Sequence, residues 1–363
     1  MKLFSQKIIL LFILMLALAA SEKPELFIKY SNPQIAYEGR IDSTNQKSVQ
    51  LFWSGTSIKL NFEGTSIGAI FKDEKGDNYY NVIIDDEKPI IFRPDSIKKF
   101  HLLASNLSKG THRIEIFKRT EYTRGTTSFY GFQIQGNAKI IAASPKRKRK
   151  IEFYGNSITS GYAVEDFSGK DSPDSTYTNN YLSYAAITAR HFDAEYHCIS
   201  RSGIGLTISW FPIIMPELYD RLHPNDPKSK WNFSLYQPDI VVINLFQNDS
   251  WLVNMKNHEQ YKLNFKDKIP NEEFMINAYQ QFVSKIRNHY PDAKIICMLG
   301  NMDATKNNSI WMDYIKKAAS NLNDQKVYTF FMPFKETEGH PSIQEQQKMA
   351  NSLIQFIDEN VEW

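Results

Sequence analysis

The 363-residue chain has only two cysteines, Cys198 and Cys297. That scarcity excludes a disulfide-stapled scaffold and a thiolate zinc site. Excess charge is nearly absent as well, with 43 Lys and Arg against 40 Asp and Glu, so no broad basic field argues for nucleic acid as a partner. Internal repeats are missing, and the one biased tract is the basic run Lys146-Arg147-Lys148-Arg149-Lys150. Its place at a change of composition, just ahead of an apolar strand, favours a solvated linker over a nucleic-acid patch. His, Cys and Asp nowhere fall at metal-ligand spacing, and no metal or cofactor is expected.

Long apolar runs are confined to the first twenty residues. Lys2 and Lys7 flank the start of Ile8–Leu16, and Ala17-Leu18-Ala19 reads as a small-residue cleavage site. Together they form a secretory signal peptide over residues 1–20. The run is short for a membrane span, an uncleaved anchor being the alternative, and no Cys near the cleavage site supports lipid attachment. The mature chain is expected to start near Ala20 or Ser21 and to be secreted or periplasmic, monomeric, and without stable membrane insertion.

What remains is long enough for two domains, and its pattern changes near residue 150. From 21 to 145 short alternating runs such as Ser57–Phe62, Tyr79–Ile84 and His112–Ile116 end at turn residues, as in an antiparallel β-sandwich or jelly roll. From 151 to 363, after the linker at 146–150, strands alternate with helices. The strands are Ile151–Phe153, Ala194–Ile199, Asp239–Leu245, Lys294–Leu299 and Lys326–Phe330, with helices near Tyr181–Phe192, Glu272–Asn288, Asn308–Asn321 and Ile343–Asp358. That is an α/β domain with a mostly parallel sheet. In a 2-1-3-4-5 strand order the two cysteines sit two strands apart, too far to bridge, and both are expected buried and free.

The first of these strands runs into Gly155-Asn156-Ser157-Ile158-Thr159. A serine delivered at the carboxyl edge of an open sheet lies where such sheets hold ligands. Its hydroxyl becomes nucleophilic only beside a base. Of eight histidines, two precede proline, His223 and His340. His340 is the better base, because it follows the last strand and precedes the capping box Ser342-Ile343-Gln344-Glu345, which pins its loop to a helix. Oxyanion donors are offered after the next two strands: Gly203 in Ser202-Gly203-Ile204-Gly205, and the Asn248 amide in Gln247-Asn248-Asp249, beside the Ser157 N–H. Trp210, Phe211 and Trp251 follow the same loops and could stack on a sugar ring.

These four blocks, Gly155–Thr159, Ser202-Gly203, Asn248-Asp249 and His340-Pro341, resemble the SGNH (GDSL-like) hydrolases. With Ser160-Gly161-Tyr162, and with Lys118-Arg119-Thr120-Glu121 and Phe129-Tyr130-Gly131-Phe132 in the first half, the chain is most similar to carbohydrate esterase family 2. The resemblance implies a jelly roll followed by a flavodoxin-like SGNH domain that removes acetyl groups from polysaccharides such as xylan or mannan. Ser157 would be nucleophile, His340 base and acid, and Ser157, Gly203 and Asn248 the oxyanion hole. Three positions depart from the family. Asn156 replaces an Asp that is structural there. Phe246-Gln247 replaces Gly-Thr, so Phe246 is expected to wall the acyl pocket. The acid two residues before the base is Glu338, which would orient His340 through its carboxylate or its backbone carbonyl, with Glu336 a weaker candidate. Alternatives are an ester other than a polysaccharide acetyl (a lipid, sialic acid or cell-wall acetyl group), or a carbohydrate-binding protein with a degenerate site.

Overall fold

The computed structural model describes residues 25–266 and 268–363, so the expected export signal lies outside the described residues. The first half is a sandwich of two antiparallel sheets. One orders Ile41–Asp42, Val49–Leu51, Thr127–Gln135, Ser66–Asp73 and Lys99–Ala104 side by side, with Glu25–Lys29 also paired to Thr127–Gln135. The other orders Lys139–Ile141, Ser57–Glu63, Thr111–Lys118, Tyr80–Ile84 and Ile90–Phe92, with Ala36–Glu38 also paired to Ser57–Glu63. The alternation legible in the sequence is the packing pattern. Ile58, Leu60 and Phe62 point inward while Lys59, Asn61 and Glu63 stay partly solvated, and they meet Ile114, Phe71 and Phe132 in one core.

The second half is a five-stranded parallel sheet: β1 (Arg149–Gly155), β2 (Ala194–Ser200), β3 (Ile240–Asn244), β4 (Lys294–Leu299) and β5 (Val327–Phe331). The strands lie in the order 2-1-3-4-5 and every pairing is parallel. β3 is buried at every position, as a strand covered on both faces must be. Helices Tyr184–His191 and Ile343–Asn360 cover one face, and Glu272–His289 and Trp311–Asn321 the other. Cys198 on β2 and Cys297 on β4 are separated by β1 and β3; both are free and buried. Burial pushes the thiols up to about 11 and about 12, so they stay protonated and unreactive.

The two halves share a core. Phe52, Trp53 and Tyr122 of the sandwich pack with Leu206, Met215 and Tyr219, and the Trp53 indole donates to Leu222 O at 2.9 Å. Arg40, 1% exposed, reaches Glu152 on β1 at 3.0 Å and Tyr219 O at 2.5 Å. The basic run is not the free linker its charge suggests. β1 already begins at Arg149, and Arg147 is held between Glu38 and Asp193. Arg149 and Lys150 in turn lie over the rings of Trp363 and Tyr236, so the run is partly packed against the domain.

Candidate active site

The carboxyl end of β1 makes a tight turn into the short helix Ser157–Ser160. A Cβ on Gly155 would collide with the Thr159 side chain, so only glycine lets the chain turn this sharply. Asn156 caps the helix, its Oδ1 accepting from Ile158 N–H at 3.0 Å. Asn is among the best residues at that position, which accounts for its replacing an Asp. The turn leaves Ser157 at the first helical position, where the backbone N–H has no intrahelical acceptor.

His340 arrives from the loop after β5. The capping box forms as expected: Ser342 Oγ accepts from Glu345 N–H, and the Glu345 carboxylate accepts from Ser342 N–H at 2.8 Å. His340 Nε2 lies 2.8 Å from Ser157 Oγ, and its ring packs edge-on to Tyr162, with centroids 4.9 Å apart.

The partner of the other ring nitrogen is not Glu338. That side chain is exposed, and its carbonyl accepts from Lys335 Nζ at 2.9 Å instead. Glu336 is exposed as well and makes no contact with the ring. The position is filled by Asp171, from the long loop after the nucleophile helix. Its Oδ2 lies 2.8 Å from His340 Nδ1, and its Oδ1 accepts from the His340 backbone N–H at 2.8 Å. Gly339, at φ +68, makes the approach possible, since a Cβ there would come within 2.9 Å of Asp171 Oδ1. Burial works to raise the Asp171 carboxyl, but the His340 hydrogen bonds and charge, with Lys335 beyond, hold it below the usual carboxylate range. It is therefore an ionised acceptor, which fixes the proton on Nδ1 and leaves the Nε2 lone pair facing Ser157. Sequence reasoning had little to find it by. Asp166, Asp171 and Asp174 share one polar loop, and the partner is 169 positions away.

The expected donors line the same cleft. Gly203 has φ +82 and is crowded by Phe211 and Trp210, so its N–H can stand close to a substrate where a side chain could not. Asn248 is held at both ends: Nδ2 donates to Ile204 O at 2.8 Å, and Oδ1 accepts from Trp210 Nε1 at 3.0 Å. Its oxygen is thereby occupied, and the second amide hydrogen is left for a ligand. The adjacent Asp249 is fully buried. Burial raises its carboxyl even though it accepts from Leu206, Thr207 and Ile208 N–H, so it shapes the loop that follows Gly203.

Ser157, Gly203, Asn248 and His340 line one cleft of about 740 Å³ together with Trp210 and Trp251. Trp251 is steadied by Asp303, which accepts from its indole at 2.9 Å. Trp210 is 41% exposed, so it offers a face to a ligand while its N–H holds Asn248. Phe246 does not wall this cleft. It is completely buried on the far side of the turn, with its ring about 5 Å from those of Tyr279 and Trp311. The backbone there has φ +84, a conformation suited to the glycine it replaces and strained for a side chain. No group of three or more His, Cys, Asp or Glu among the described residues could hold a metal ion.

Residues 37–145 match the carbohydrate esterase 2 N-terminal family, and residues 153–347 the GDSL-like lipase/acylhydrolase family. The cellulase/esterase CelE of Acetivibrio thermocellus is 35% identical over 92% of this chain, which spans 40% of that protein's length. An acetylxylan esterase/glucomannan deacetylase of Cellvibrio japonicus is 24% identical, over 93% of this chain and 91% of the relative. Among solved structures, a family two carbohydrate esterase from Clostridium thermocellum in complex with cellohexaose superposes with a TM-score of 0.79 at 34% identity, covering 90% of this chain and 98% of that one. With both halves matched in order over a shared fold, the chain belongs to the GDSL-like lipase/acylhydrolase family and, within it, to carbohydrate esterase family 2.

Proposed function

We propose that the protein is a serine esterase that removes O-acetyl groups from a polysaccharide such as xylan or glucomannan. The observation that carries the reading is the chain Ser157 Oγ, His340 Nε2, His340 Nδ1, Asp171 Oδ2, with 2.8 Å at each contact, opening onto a cleft that Ser157, Gly203 and Asn248 line. Ser157 Oγ attacks the acetyl carbonyl while Nε2 takes its proton. The N–H groups of Ser157 and Gly203 and the Asn248 amide receive the oxyanion, each such donor being worth about 2.7–4 kcal/mol of barrier. The imidazolium, steadied by Asp171, gives its proton to the departing sugar hydroxyl. The acetyl group stays on Ser157 until His340 activates a water, whose attack releases acetate and restores the serine. Trp251 and Trp210 supply faces on which a pyranose ring can stack.

The apolar amino-terminal segment supports export, so we place the mature protein outside the cytoplasm, acting as a monomer. Relatives support the polysaccharide substrate: two proteins similar along most of the chain are acetylxylan esterases/glucomannan deacetylases. The test is acetate release from acetylated xylan and glucomannan by the wild type and Ser157→Ala. Release by the wild type alone is expected. Binding without release would favour a carbohydrate-binding role, and faster turnover of long-chain p-nitrophenyl esters than of the acetate would favour a lipase.

A further inference from the structure

Both parts of the site that must be held to a fraction of an ångström are held from the other half of the molecule. Glu121 leaves the sandwich just after the strand Thr111–Lys118 and is 6% exposed. Its Oε1 accepts from Ser202 N–H at 2.6 Å and from Ser202 Oγ at 2.8 Å. Ser202 directly precedes Gly203, so this carboxylate anchors the residue whose next peptide carries the oxyanion N–H. Two short bonds from one residue to one oxygen fix the Ser202 backbone and side chain together.

Two residues earlier, Arg119 is 1% exposed and turns toward the loop of the triad acid. Its guanidinium pairs with Glu165 and donates to Thr176 O at 2.9 Å and Thr178 O at 3.4 Å. Those partners bracket Asp171, so the loop is gripped at both ends. The gripping segment is itself stiff. Buried Lys118 Nζ donates to Asn78 Oδ1 at 2.5 Å, Thr120 O at 2.8 Å and Glu121 O at 3.4 Å.

We propose that the sandwich is a working part of the active site, its Lys118–Glu121 segment positioning the Gly203 N–H through Glu121 and the Asp171 carboxylate through Arg119. This rests on the serine-esterase reading, which hydrolysis of p-nitrophenyl acetate by wild type and not by Ser157→Ala tests on its own. Neither residue touches substrate; both are positioning residues, and their loss should appear in kcat rather than KM.

The experiment measures kcat and KM of the full chain well below its melting temperature, with the fold checked by circular dichroism. Substrates are p-nitrophenyl acetate and the matching thionoester, whose C=S gains little from an oxyanion hole. Glu121→Ala is expected to lower kcat for the ester roughly 10–100-fold, part of the loss seen when one oxyanion donor is removed, with KM little changed and the ester-over-thionoester preference falling in step. Glu121→Gln, whose oxygen can still accept both Ser202 bonds, should recover most of the loss. Should Glu121→Ala fail to fold, Glu121→Asp draws the carboxylate back by one methylene and should show a smaller fall in the same preference. For Arg119 the measure is coupling: Arg119→Ala should cost no more in an Asp171→Asn background than Asp171→Asn alone. A wild-type kcat and ester preference in Glu121→Ala or Glu121→Asp, with only the melting temperature lowered, would overturn the proposal. So would full additivity of Arg119→Ala with Asp171→Asn.

Discussion

Replacing Asp171 by Asn tests the triad more sharply than deleting its side chain. Asp171 meets two groups of His340, the backbone N–H through Oδ1 and ring Nδ1 through Oδ2. A backbone N–H can only donate, so the amide oxygen of an Asn must face it, and the NH₂ then faces Nδ1. That arrangement makes Nδ1 the acceptor, moves the ring proton to Nε2, and removes the lone pair that takes the proton of Ser157. Restoring the working tautomer means setting two donors against each other, at about 1–3 kcal/mol. Losing the carboxylate beside the imidazolium adds about 1–2 kcal/mol, kept small because Asp171 is about one-third exposed and water screens it. Together, at about 2–5 kcal/mol, these correspond to a fall in kcat of roughly 30- to 5,000-fold. Asp171→Ala imposes no tautomer and should retain more activity than Asp171→Asn. The assay is kcat on p-nitrophenyl acetate for both variants at matched fold. An Asn variant within about twofold of wild type, or clearly faster than the Ala variant, would refute the geometry.

Glu338→Gln should leave kcat near the wild-type value, since that carboxylate does not reach His340; a loss of 100-fold or more in the same assay would return the orienting role to it. Arg40→Ala should destabilise the protein by about 3–5 kcal/mol in urea unfolding, because it strands a buried carboxylate. Burial opposes ionisation of Glu152, but Arg40, then His197 and Tyr154, pull its carboxyl down to about 2. A carboxyl depressed on folding contributes stability in full above its ordinary 4.5 and loses it as the pH falls toward 2. Wild type should therefore hold this contribution until the pH falls below about 4.5, whereas in Arg40→Ala burial raises the Glu152 carboxyl, protonation relieves the penalty, and the stability gap between the two should narrow as the pH falls. At Phe246, removing the ring should cost about 3–5 kcal/mol. Phe246→Gly should be more stable than Phe246→Ala, the reverse of the usual order, because only glycine is at ease at φ +84.

The sequence carried what depends on local grammar. Ser157, Gly203, Asn248 and His340 each follow a strand of one sheet, and a parallel sheet collects the ends of its strands at one edge. The Ser342–Glu345 box announced the helix that fixes His340, and period-two alternation announced the sandwich. The misses depend on contacts far apart in the chain. Asp171 reaches His340 across 169 positions from a loop of interchangeable acids, whereas Glu338 owed its candidacy to nearness in sequence. Phe246 looked like a pocket wall because it stands two residues before Asn248. Its left-handed backbone turns the ring back into the core, and the glycine usual at that place was the available sign. The basic run read as a linker because the acids that hold Arg147, Glu38 and Asp193, lie on other strands and turns.

The central claim is that Ser157 carries the acyl group between two half-reactions. Rapid acid quenching during turnover of an acetate ester, followed by peptide mass analysis, measures it directly. The account predicts one added acetyl mass on the peptide containing Ser157, absent from Ser157→Ala and diminished in Asp171→Asn in step with kcat. Acetate release without any adduct on Ser157, or at an undiminished rate in Ser157→Ala, would contradict it.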